Sequence, residues 1–254
     1  SAILVRFSQA PSGVTAAYRL GWTVLLLLPV VLLRCRAELR RVTARDLVLC
    51  GASGVLLALH FLTWFESLKR TSVASSTVLV STEVIFSALG FALFLHGKIP
   101  RLGVWAILLA FGGSALLALS GGGGAGELSG NLLALAAASA AAVYTLIGRI
   151  QRGHLSTTVY TFLTYLACFL TLLLGTAAAG TPLTGYGGRE WLIGLALAVL
   201  CTLLGHSLFS WCLKYLSPSY VSAAKLCEPV FSSLAAIPLF GEVPGPLQLA
   251  GGAA

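Results

Sequence analysis

Apolar runs of 20 to 25 residues recur from one end of this 254-residue chain to the other, and they leave few folds open. A helix of that length rises about 30 Å, the thickness of a bilayer's hydrocarbon core. Lipid cannot satisfy a stray backbone amide or carbonyl, so each run must close its own hydrogen bonds as an α-helix. Charged residues make up 9% of the chain and hydrophobic ones 57%, with mean hydropathy +0.94. A soluble domain carries about 25% charged residues. The pattern predicts an all-α polytopic membrane protein without a separate soluble domain.

The runs delimit spans at 12–33, 46–68, 72–96, 101–120, 128–150, 156–179, 190–214 and 218–241, with partial helices at 1–9 and 245–254. Eight complete spans and two fragments predict ten transmembrane helices, the first and last truncated. The chain opens at Ser1 within an apolar stretch, stops just after LQLAGGAA and has no Met, which reads as cut at both ends. Loops 34–45, 97–101 and 149–154 and the turn at Lys214 hold ten Lys and Arg, whereas the other set holds three, Lys69, Arg70 and Arg189. Basic loops stay in the cytoplasm, so both termini are expected there. The net charge of +8 is then topology charge, and no nucleic acid partner is expected. The six cysteines (Cys35, Cys50, Cys168, Cys201, Cys212, Cys227) form no CxxC pair and no zinc spacing. They read as packing residues, and neither metal nor cofactor is expected. The run GGGGAG at 121–126 lacks the GK[ST] of a phosphate loop and reads as a flexible connector.

The chain repeats itself. With a shift of 145, Leu68 and Lys69 fall on Leu213 and Lys214, Ser72 on Ser217, Glu83 on Glu228, Phe86 on Phe231, Ser87 on Ser232 and Leu89 on Leu234. After a one-residue gap, Gly97 and Pro100 fall on Gly241 and Pro244, and upstream SAILVRFSQ (1–9) matches YTLIGRIQR (144–152). Each copy holds five helices, an odd number, so the second must cross the membrane in the opposite sense. The expected organisation is residues 1–122 as the first five-helix repeat and 123–254 as the second, inverted one, together one transport domain. Inverted repeats recur in secondary transporters, with the substrate near the midplane.

Two stretches carry a resemblance. GVTAAYRLGWTVLLLLP (13–29), with Arg19 and the closing Pro29, is similar to the second-helix pattern of the EamA family of the drug/metabolite transporter superfamily. CEPVFSSLAAIPLFGEVPGPLQLAGG (227–252) resembles that family's ninth helix, its Gly-Glu turn and the start of its tenth. Within the family the chain looks most like YddG-type aromatic amino acid exporters. The first copy departs from the pattern, with HGK (96–98) in place of the Gly-Glu turn that contains Glu242 in the second. The resemblance implies export of amino acids across a bacterial cytoplasmic (inner) membrane.

A charge near the bilayer centre costs about 2.5 to 3.5 kcal/mol on insertion scales, so it faces a cavity or a partner. Glu83 lies about 16 Å into its span from Ser72, and the repeat puts Glu228 at the same depth. Lys225, three residues earlier, shares a helix face with Glu228 and is expected to pair with it. Pro229 lacks the backbone N–H of a helix interior and bends the span there. Pro229 and Pro238 are the candidate hinges. Glu83 has no cation within four residues, so it either carries a proton or pairs across helices, with Arg19 as one partner. Ser76, Glu83 and Ser87 follow helical spacing; such hydroxyls knit helices as well as line cavities. His60 and Trp64 lie four apart, as do His206 and Ser210, with Phe209 alongside. Tyr144 adds a hydroxyl-tipped ring. The candidate substrate-binding set is therefore His60, Trp64, Ser76, Glu83, Tyr144, His206, Phe209, Ser210, Lys225 and Glu228.

Three functions compete. GASG (51–54) with His206 has the outline of an intramembrane serine protease, but Gly and Ser at this spacing are ordinary packing residues. A channel needs rings of charge or carbonyls along a pore, for which the charges are too few. The reading that fits best is a secondary transporter, not an enzyme. It exports small metabolites, amino acids with aromatic ones favoured, by alternating access through a central cavity. Trp64, Tyr144 and Phe209 are the rings expected to stack on an aromatic cargo. The expected partners are a small-molecule substrate and the bilayer, with protons a candidate at His60, His206, Glu83 and Glu228. A duplicated chain holds both halves and is expected to act as a monomer.

Overall fold

The computed structural model describes residues 1–97, 104, 105, 108, 109, 112, 125–225 and 227–241. Among the described residues all regular structure is helical: α1 (Ala2–Phe7), α2 (Ser12–Arg34), α3 (Arg36–Leu39), α4 (Ala44–Arg70), α5 (Val73–Ser81), α6 (Glu83–Phe94), α7 (Ala125–Gln151), α8 (Thr157–Ala178), α9 (Gly188–Ala196), a π-helical stretch (Leu197–His206), α10 (Ser207–Cys212), α11 (Pro218–Ala224) and α12 (Cys227–Phe240). Among the described residues, six stretches are long and apolar enough to cross a membrane: Ser12–Arg34, Ala44–Arg70, Val73–Phe94, Gly126–Gln151, Thr157–Ala178 and Gly188–Cys212. They coincide with six of the spans expected from sequence. The expected spans at 101–120 and 245–254, with Glu242, lie wholly or largely outside the described residues. Ala125 and Gly126 belong to α7, so the connector ends earlier than the glycine run suggests.

Side-chain placement is that of a protein solvated by lipid. Leu33, Leu174 and Phe94 are 83%, 72% and 76% exposed, while Arg19, Thr23, Ser53 and Ser87 are fully buried. With lipid outside, polar groups gain by turning inward, where partners exist.

Three expected rods are interrupted. The span 72–96 breaks at Thr82 between α5 and α6. Hydroxyls loosen it there: Thr77 bonds back to the Val73 carbonyl, Ser81 to Thr77 and Thr82 to Leu79, a habit that bends membrane helices. The span 218–241 splits into α11 and α12. Pro229 falls in the first turn of α12, where a missing N–H is tolerated, and the Lys225 carbonyl accepts from Glu228 N–H instead. The span 190–214 widens into the π-helical stretch, in which the Thr202 hydroxyl bonds the Leu197 carbonyl five residues back.

The chain forms two compact units, neither contiguous in sequence. The first comprises Ile3–Leu62 and Tyr144–Ser217; the second comprises Thr63–Val143 and Pro218–Ala254. In the first unit α2 packs on α8, α9 and the π-helical stretch. Helices α4 and α8 meet backbone to backbone: a Cβ on Gly54 would lie 2.6 Å from the Thr164 carbonyl oxygen and 2.7 Å from Cys168 N. The neighbouring Ser53 hydroxyl shares a 2.9 Å bond with Tyr160 OH. The GASG segment is thus a helix-packing element, its serine engaged by a tyrosine. In the second unit α5 packs on α12 and α6 on α11. First half against second half, twice over, makes the two broken spans antiparallel.

Candidate functional site

The antiparallel pair in the second unit brings its two breaks together, and the charges sit there. Glu83 opens α6 directly after the Thr82 break, and Lys225 follows α11 directly before α12. Lys225 Nζ donates to both oxygens of Glu83, at 2.7 and 3.0 Å. The pair is shielded, with side-chain exposures of 17% and 9%. Ser222 Oγ, one turn before Lys225, donates to Glu83 Oε1 at 3.1 Å and contacts Ser87 Oγ at 3.1 Å. Glu83 therefore has a cation from across the helices, Lys225, the second of the two possibilities its sequence left open. A carboxylate held by an ammonium and a hydroxyl, with a second hydroxyl bonded to the first, can exchange partners with a molecule carrying both charges.

Of the other candidates in this unit, Ser76 is buried and its hydroxyl shares a 2.8 Å bond with Ser67, a contact between neighbouring helices. Trp64 is buried, its ring 5.9 Å from that of Phe65. Glu228 stands exposed in the first turn of α12, and Pro238 lies exposed in that helix's interior.

In the first unit the structure gathers His60, Tyr144, His206 and Ser210. The His206 ring, at the end of the π-helical stretch, lies 6.4 Å from both His60 and Tyr144 and 5.5 Å from Phe61. Tyr144 OH and Ser210 Oγ are 3.3 Å apart. Phe209 is half-buried on α10.

Arg19 was not among the expected site residues, yet it is the largest fully buried side chain described. Its Nε donates to Thr202 Oγ1 at 2.7 Å, and its guanidinium stacks 4.2 Å from the centre of the Phe61 ring. The stack is a cation–π contact, and Thr202 is the residue that bonds back within the π-helical stretch. Arg19 thus braces the segment that ends at His206. A lone charge inside an apolar span was the available signal, whereas Thr202, Phe61 and Ser222 carry none.

Comparison with known proteins fits this architecture. The EamA-like transporter family model matches residues 2–119 and 128–254. The pseudopaline exporter CntI of Pseudomonas aeruginosa, strains UCBPP-PA14 and PAO1, is 25% identical over 199 residues, 78% of this chain and 69% of the relative. A solved crystal structure aligns with TM-score 0.67 at 20% identity, covering 99% of this chain and 86% of that one, a likeness of fold.

Proposed function

We propose, from the premise that this chain belongs to the EamA-like transporter family, that it exports amino acids, aromatic ones favoured, by alternating access. The observation that carries this reading is the ion pair of Lys225 and Glu83 at two apposed helix breaks. Broken membrane helices expose backbone and charge where a substrate needs them. A zwitterion offers an ammonium to Glu83 and a carboxylate to Lys225, replacing the internal pair at little electrostatic cost. Ser222 and Ser87 supply further polar contacts. The aromatic preference rests on the resemblance to aromatic exporters and on the ring-bearing candidates Trp64, Tyr144 and Phe209. A relative that exports pseudopaline fits export as the direction.

The finer architecture belongs to the same proposal: ten helices as two inverted five-helix repeats, 1–122 and 123–254, in a bacterial inner membrane with both termini cytoplasmic. Pro229 and Pro238 serve as hinges, protons are a candidate second ligand, and one chain suffices for transport. The test is flux of radiolabelled tryptophan, phenylalanine and alanine into proteoliposomes. Saturable uptake, accelerated by unlabelled tryptophan on the far side and reduced by Glu228→Gln, supports the reading. Flux that rises linearly with concentration and shows no exchange points to a pore.

A further inference from the structure

The loop joining α2 to α4, RCRAELRRVTAR (34–45), holds five arginines, and the two acids beside them are already engaged. Glu38 Oε1 accepts the Ser156 N–H at 2.6 Å, at the start of α8. Asp46 accepts from Thr43 N–H and Oγ1 at 3.0 and 2.7 Å and from Gln151 Nε2 at 3.2 Å, and pairs with His154 Nε2 at 2.6 Å. Among the described residues none of Arg34, Arg36, Arg40, Arg41 and Arg45 has an ion-pair partner. A basin of about 520 Å³ opens here, its charged lining being Arg34, Arg41, Glu38, Asp46 and His154.

The basin sits where the lipid-facing surface ends. Leu32 and Leu33 in the last turn of α2 are 51% and 83% exposed, and Leu47 and Val48 near the start of α4 are 53% and 70% exposed. Apolar side chains this open belong against acyl chains, and the arginines beside them reach headgroup level.

We propose that this basin is a binding site for the phosphodiester headgroup of an anionic phospholipid. Arg34 and Arg41 donate to the phosphate oxygens in the forked geometry guanidinium favours, while the acyl chains lie along Leu32, Leu33, Leu47 and Val48. Glu38 and Asp46, held by their own partners, leave the arginine charge available. The lipid would tie the α2–α4 loop to the α7–α8 turn of the first unit.

The test is equilibrium binding of fluorescent phosphatidylglycerol and phosphatidylcholine to the purified protein in detergent. Phosphatidylglycerol is expected to bind more tightly. Arg34→Ala with Arg41→Ala should weaken it by roughly tenfold to thirtyfold, from about fivefold per basic residue near an anionic surface. Arg36→Ala with Arg40→Ala removes the same charge outside the basin and should change binding less than about fivefold, the loss that one basic residue gives on the same scale. Arg34→Lys with Arg41→Lys keeps the charge without the fork and should fall between, which preserves the comparison if the alanine pair folds poorly. Equal losses from both alanine pairs, or equal affinity for the two lipids, overturns the site. Displacement of the label by millimolar inorganic phosphate overturns the lipid as occupant.

Discussion

Removing the charge at Lys225 should cost this protein far more than removing both charges of its pair. Lys225 Nζ lies 2.7 and 3.0 Å from the Glu83 oxygens, and the two side chains are 17% and 9% exposed. At an effective dielectric near 20, unit charges about 3 Å apart attract by about 5 kcal/mol, largely offset by desolvation of each. Lys225→Met alone takes the ammonium from the shielded Glu83 carboxylate and should destabilise by about 3 to 5 kcal/mol. In a chain of this size that is a fall in Tm of about 10 °C. Glu83→Gln with Lys225→Met replaces the pair by neutral groups of similar size, and such replacements are often near neutral. The double variant should therefore melt within about 3 °C of wild type, on the same scale, yet fail in amino acid counterflow. Thermal unfolding in detergent and counterflow in proteoliposomes read the two effects separately. If Lys225→Met melts as wild type does, the pair is not a shielded, mutually dependent one. If the double variant transports at the wild-type rate, the pair is structural and the substrate lies elsewhere.

Thr202→Val removes the acceptor 2.7 Å from Arg19 Nε and should destabilise by about 1.5 to 3 kcal/mol, as for hydrogen bonds to charged groups. Thr202→Ser should melt like wild type, and equal loss in both would show that the methyl rather than the hydroxyl matters. Gly54→Val drives a side chain into the Thr164 carbonyl and Cys168 amide and should abolish the monodisperse peak on size exclusion; a normal peak would contradict the close approach of α4 and α8. Asp46→Asn weakens the tether to His154, whose side chain is 53% exposed. Solvent screening should limit the loss to about 1 kcal/mol, so a larger fall in Tm would mean that the buried carboxylate's other contacts dominate. Single cysteines at Gly97 and Gly241, in a background stripped of native cysteines, should label from opposite sides of the membrane. Labelling from one side would sink the inverted repeat.

Solvent and class are legible from the residues alone. Apolar runs of bilayer length admit only helices, and a period of 145 residues that carries Glu83 onto Glu228 and Leu68 onto Leu213 marks a duplicated transporter. The sequence also marked Glu83 and Lys225 as charges within apolar runs, where the cost of such residues in lipid calls for a partner. Which charge meets which was not legible. Helical spacing offered Glu228, three residues on, as a neighbour for Lys225; the contact of Lys225 with Glu83 came from the folding that laid α5–α6 against α11–α12 in antiparallel fashion. The breaks at Thr82 and beyond Lys225, and the π-helical widening before His206, were equally hidden. Apolar runs report that a helix forms, whereas its continuity depends on carbonyls claimed by Thr77, Ser81 and Thr82 and on what packs opposite. Arg19 shows the same division: its burial followed from its position in the α2 span, but its hold on Thr202 and Phe61 exists only because helices distant in sequence are adjacent in space.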